Sequence, residues 1–201
     1  MLKVGLTGGI ASGKNFVASL FSEKGWHIID SDEVSRRVMA RGGSAFSDIV
    51  TAFGSSVLTK DGDLERSALR SLVLKDNNKR LLLESIVHPE IRKQTDNDIK
   101  SLSRKDSNGT VLCHAPLLIE AGAYKAFDIV IIVWCEPEIQ RARLKERGFP
   151  PYEEGVKLMA VQMTHEARLK YAHHVINNNE TREDTRREVE RVYTLIKMLN
   201  K

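Results

Sequence analysis

"GLTGGIASGKNF", residues 5–16, decides the fold. Gly8, four residues, Gly13 and Lys14 fit G-x-x-x-x-G-K, the spacing of a loop that cradles phosphate. Glycines let such a loop curl until its backbone N–H groups converge on an anion, and the lysine neutralises the outer phosphates. The pattern needs a strand before it and a helix after it. Both are predicted: "LKVGLT" (2–7) is a short apolar, β-branched run ending at glycines, and 14–24 reads as a helix stopped by Gly25. That context favours a phosphate loop over a purely structural glycine turn. Its candidate ligand contacts are Gly8, Gly9, Ala11, Ser12, Gly13, Lys14, Asn15 and Phe16.

Asn15 departs from the pattern, which places a serine or threonine hydroxyl after the lysine as a Mg²⁺ ligand. The asparagine carbonyl is also a neutral, hard oxygen donor, but one atom longer. Mg²⁺ keeps several waters readily, so the expectation is a working metal site reached by Asn15 directly or through water.

Outward from the loop, strand and helix alternate. "HIID" (27–30), the near-continuous apolar run "DIVIIVW" (128–134) and "HHVIN" (173–177) read as further strands. Helices are predicted over 31–41, 45–53, 66–75 and 78–104, the last broken where Pro89 follows His88. "TKDGDL" (59–64) reads as a turn. Val189, Val192, Leu195, Ile196 and Leu199 form a stripe at helical spacing near the end of the sequence. The alternation predicts an α/β fold with a mostly parallel sheet, right-handed crossovers and a ligand crevice at the strand ends. The helical stretch 33–105 is an insertion between the second and third strands.

Two carboxylates lie where the second strand gives way to helix. Asp30 with Glu33 fits a capping pattern. Asp32 lies one turn before Arg36, a surface pair in the plain reading. In the functional reading, Asp32 accepts a hydroxyl proton and Arg36 grips the acceptor's phosphates, because residues at strand ends border the crevice.

The bulk numbers agree with a single domain of 201 residues: 41% hydrophobic and 29% charged residues. The longest apolar run, 129–135, is too short to span a bilayer, and glycines interrupt any leader-like start. Cys113 and Cys135 sit in strand-like runs and read as reduced core thiols, which points to the cytoplasm. A net charge of +4 is spread along the chain and 6% of residues are aromatic, which favours a small phosphorylated ligand over nucleic acid. Six histidines without paired spacing predict no zinc site.

Together, "VGLTGGIASGK", "IIDSD", "FGSSVLTKDGDLERSALRSLV" (53–73), "HPEI" (88–91), "PLLIE" (116–120) and "EPEIQRARLKERG" (136–148) resemble the dephospho-CoA kinase family in order and spacing over essentially the whole chain. That resemblance implies a P-loop NTPase-type parallel sheet flanked by helices. It divides the chain into a core (about 1–32, 106–140 and 166–201), an acceptor-binding helical insertion (about 33–105) and a helical lid (about 141–165). It implies transfer of the γ-phosphoryl group of ATP, with Mg²⁺, to the ribose 3′-hydroxyl of dephospho-CoA, by a monomer or small homo-oligomer. Asp32 matches the acidic residue at the acceptor hydroxyl, and Arg143 and Arg147 match lid arginines that neutralise the transferring group. Asn178 matches an asparagine near the adenine, and His88, Pro116, Leu117 and Glu120 fall in acceptor-side segments. "GFPPYEEG" (148–155) fits a hinge after the arginines. His114, His173, His174 and Asn177 stand where relatives tend to carry aspartates, with His114 read first as a packed strand residue. Another nucleotide- or nucleoside-type kinase, and a non-catalytic nucleotide-binding protein, remain the alternatives.

Overall fold

A computed structural model describes residues 1–148 and 151–199. The chain divides into two compact units, one of residues 1–29 with 106–201 and the other of residues 30–105.

The first unit is built on a five-stranded sheet. Its strands are β1 (Leu2–Gly8), β2 (His27–Asp30), β3 (Thr110–His114), β4 (Ile129–Trp134) and β5 (His174–Asn177), in the order β2-β3-β1-β4-β5. β1 runs parallel to β3 and β4, and β4 runs parallel to β5. Around it lie α1 (Lys14–Glu23), α6 (Pro137–Arg147), α7 (Tyr152–Val161), α8 (His165–Leu169) and α9 (Arg182–Leu199). The paired prolines expected at a hinge fall partly on residues 149 and 150, outside the described residues.

The apolar run of β4 is explained by its two faces. Ile129, Ile131 and Val133 join a cluster with Val17, Phe21, Val189, Val192 and Ile196, whereas Val130 and Ile132 join Leu118 and Ile119. Side chains alternate across a strand, so a strand covered on both faces shows no polar positions. Each of these buried side chains contributes about 1.5–3 kcal/mol through removal of apolar surface from water. The stripe on α9 matches this packing at Val189, Val192 and Ile196, while Leu195 is exposed.

Two of the histidines lie where β5 begins. His173 Nδ1 accepts from Val130 N–H at 3.0 Å, so its ring takes an acceptor role that a carboxylate oxygen also fills. Asp128 plays the same part at the neighbouring strand, accepting from Lys3 N–H at 2.8 Å. His174 is held below the usual histidine range by burial and by Arg191. His114 is buried at the end of β3 opposite Leu6, and both cysteines are buried.

The second unit is helical: α2 (Ser31–Met39), α3 (Phe46–Phe53), α4 (Arg66–Lys75) and α5 (Asn77–Lys105). Asp30 caps α2 by accepting from Asp32 N–H at 2.8 Å, as the capping pattern predicts. The predicted turn at 59–64 closes with Thr59 N–H on the Asp63 carbonyl and with Gly62 at φ +84°. One expectation fails: α5 runs unbroken through Pro89. Proline removes one helical donor, but α5 packs along α2, α3 and α4 and buries Val87 beside the proline. Tertiary packing outweighs the local cost.

Candidate active site

The parallel register brings three chain segments to one end of the sheet. Gly8 at the end of β1 pairs with Val133 of β4, and Trp134 at the end of β4 pairs with Asn177 of β5. The 8–14 loop, the 134–136 turn and Asn178 therefore share the carboxyl edge, where open α/β sheets place ligands.

The loop is curled and braced. Gly13 caps α1 with φ +93°, and a Cβ there would collide with Asn178 Nδ2. Lys14 is buried, and its ammonium donates to the carbonyls of Gly8 and Gly9 at 2.9 Å each. The positive charge is thus fixed inside the curl, next to the positive dipole end of α1. Ser12 Oγ is fully buried in this loop without a hydrogen-bond partner. A buried orphan hydroxyl costs on the order of 1–3 kcal/mol, a cost that an arriving acceptor oxygen removes.

Asn178, 5% exposed, is the hub of the bracing. Its Nδ2 donates to the Ser12 carbonyl at 2.7 Å, its Oδ1 accepts from Thr185 Oγ1 at 2.7 Å, and its carbonyl accepts from Arg143 Nη2 at 2.9 Å. Arg143 Nη1 also reaches the Ser12 carbonyl, at 3.5 Å. Burial pushes the Cys135 thiol above its ordinary range, opposed by the nearby charges of Arg143 and Lys14. Phe16 packs on the core with the Arg182 guanidinium 5.4 Å from its ring centre.

Other predicted residues are less tightly placed. Asn15 and Arg147 are exposed, on the first turn of α1 and the last turn of α6. Pro116 accepts from Thr7 Oγ1 at 3.4 Å through its carbonyl, while Leu117 is exposed. Asp32, Arg36 and His88 belong to the second unit, on α2 and α5. Asp32 and Arg36 are exposed, and His88 is half-buried.

Several site residues escape sequence reasoning. Gln140 Nε2 donates to the Ile10 carbonyl at 2.7 Å, and Gln162 Oε1 accepts from Ile10 N–H at 2.9 Å. Arg168, 4% exposed, donates to Glu120 Oε1 at 3.0 Å, and its Nε is buried without a partner. Thr185 is fully buried. These residues come from elements more than 100 positions from the loop, or read as ordinary polar residues on helices, so no spacing marks them.

Arg168→Met should leave the Glu120 carboxylate partly buried and unpaired, a loss of about 2–3 kcal/mol, discounted because Glu120 still reaches solvent. Urea unfolding should show that loss, and adding Glu120→Gln should return half or more of it. Equal losses in the single and double variants would show that the pair does not carry the effect.

A parallel sheet ending in a lysine-bearing glycine loop at a helix start defines a P-loop phosphotransferase. The family model of dephospho-CoA kinase matches residues 2–184. The chain is 39% identical to the dephospho-CoA kinase of Geobacillus kaustophilus over 188 residues, which cover 94% of this chain and 93% of the relative. The Thermus thermophilus protein TT1252 superposes with a TM-score of 0.81 at 29% identity, over 96% of both chains. A dephospho-CoA kinase from Campylobacter jejuni shares the fold, with a TM-score of 0.74 at 24% identity over 99% of this chain and 98% of that one. The chain belongs to the dephospho-CoA kinase family.

Proposed function

We propose that this chain transfers the γ-phosphoryl group of ATP to the ribose 3′-hydroxyl of dephospho-CoA, giving CoA and ADP. The observation that carries the reading is the buried Lys14 ammonium, bound to the Gly8 and Gly9 carbonyls in a curled loop at the head of α1. In this reading the loop amides and Lys14 hold the triphosphate, and Asn178 borders the adenine. Arg143, tethered to the Ser12 and Asn178 carbonyls, and Arg147 neutralise the transferring group within a helical lid. Asp32 orients the acceptor hydroxyl, with Arg36, His88, Pro116, Leu117 and Glu120 on the acceptor side. Phosphoryl transfer passes through a loose transition state, so positioning and charge neutralisation do most of the catalytic work. The proposed setting is the cytoplasm, supported by the two buried thiols.

No group of three or more His, Cys, Asp or Glu side chains that could hold a metal occurs among the described residues. A Mg²⁺ ion accompanying the nucleotide would take the Asn15 carbonyl as its protein oxygen, directly or through water. The exposed amide on the first turn of α1 suits that role. When bound, Mg²⁺ neutralises charge on the phosphates. Asn15→Thr should retain turnover and lower the half-saturating Mg²⁺ concentration a few-fold in a metal titration. Loss of all activity would contradict this account of Asn15.

The function is tested by offering the pure protein ATP with a panel of acceptors and detecting phosphorylated product. Turnover of dephospho-CoA well above every nucleoside monophosphate is expected. Preference for a nucleoside monophosphate would replace the reading with that of a nucleotide kinase, and no turnover of any acceptor with that of a nucleotide-binding protein.

A further inference from the structure

The loop contains a conformation that its own residues disfavour. Ser12 N–H closes a four-residue turn on the Gly9 carbonyl at 3.2 Å, with Ile10 and Ala11 in its centre. Ala11 has φ +56°, the single non-glycine residue at positive φ among those described. In such a turn the sign of φ at the third residue goes with the orientation of the central peptide, and positive φ suits glycine there. Alanine left to itself favours the flipped peptide.

That central peptide joins Ile10 to Ala11, and it is gripped from outside the loop. Gln140, on α6, donates to the Ile10 carbonyl at 2.7 Å. Gln162, immediately after α7, takes the Ile10 N–H, which belongs to the preceding Gly9–Ile10 peptide, at 2.9 Å. Both side chains are half-buried, and Gln140 lies so close that a Cβ at Gly9 would collide with its Nε2. In a planar trans peptide the C=O and N–H point in opposite directions. Holding the Ile10 carbonyl toward Gln140 therefore aims the Ala11 N–H away from it.

We propose that Gln140 and Gln162 are positioning residues: Gln140 holds the Ile10–Ala11 peptide in its strained orientation and so aims the Ala11 N–H at the nucleotide's phosphates, and Gln162 fixes the adjoining Gly9–Ile10 peptide. The phosphate loop is then set by α6 and by the segment after α7, and its nucleotide affinity depends on where those elements sit.

The proposal rests on the nucleotide reading of the loop, so calorimetric titration with ATP, without acceptor, starts from the wild-type chain. Gln140→Ala and Gln162→Ala should each weaken ATP binding about fivefold, the value of one hydrogen bond. KM for ATP should rise in step, with kcat and the KM for dephospho-CoA within about twofold of wild type, since the contact fixes the loop alone. Glycine adopts positive φ without steric cost, so Ala11→Gly added to Gln140→Ala should restore at least half of the lost affinity. A structural defect elsewhere in the molecule would not respond to Ala11→Gly. Unchanged ATP affinity in Gln140→Ala, or a loss there that Ala11→Gly leaves intact, overturns the clamp while the kinase reading stands. A wild-type chain that takes up no ATP overturns both.

Discussion

Lys14→Met is expected to fold, to bind ATP weakly and to lose about a thousandfold in kcat/KM. The substitution deletes a buried ammonium that donates to the Gly8 and Gly9 carbonyls, and leaves a flexible thioether of similar length in its place. In phosphoryl transfer, charge spreads over the oxygens of the moving group, and a fixed cation there stabilises the transition state more than the ground state. Removing one preorganised donor from such a site typically costs a hundredfold to a thousandfold. The larger end is expected here because Lys14 is buried and its charge is little screened by water. Steady-state assay beside a thermal melt checks it. Activity within tenfold of wild type, in a chain with unaltered melting, would remove Lys14 from the catalytic machinery and the phosphate-loop reading with it.

Asp32→Asn should lower kcat by about a hundredfold or more while ATP affinity stays within about twofold. The change keeps shape and hydrogen-bonding capacity but removes the negative charge proposed to orient and deprotonate the acceptor hydroxyl, a contribution of about 10²–10⁴ for a positioned base. Asp32 is exposed on the first turn of α2, and its backbone N–H, not its carboxylate, is committed to the Asp30 cap. The variant therefore tests chemistry with little disturbance of folding. ATP titration and initial-rate assays with saturating dephospho-CoA separate the two effects. A kcat within threefold of wild type would assign the acceptor contact to another group, and weakened ATP binding would mean that the carboxylate acts through the loop.

Much of the fold was legible because its signals are local. The glycine spacing and following lysine of 8–14 specify a curled loop, and the uninterrupted apolar run at 129–134 can satisfy only a strand covered on both sides. Asp30 announced its own helix cap. Pro89 misled for the same local reason: the rule that proline breaks a helix holds for an isolated segment, and α5 continues through it while packed against three other helices.

The bracing of the site was not legible. The charge run at 141–147 points to Arg143 as a catalytic cation, but not to its tether on the backbone carbonyls of Ser12 and Asn178. Gln140 and Gln162 are unremarkable in sequence, and they matter only because the chain returns them to Ile10 after 130 and 152 residues. Nothing in the local sequence around His173 shows that its Nδ1 accepts from the Val130 amide.

From sequence alone came what depends on spacing along the backbone: the class of fold, the phosphate loop, and the family to which the motifs belong. Tertiary structure alone decided which side chains grip that loop, because a hydrogen bond is a matter of a few tenths of an ångström and of direction, and neither is encoded in the order of residues distant along the chain.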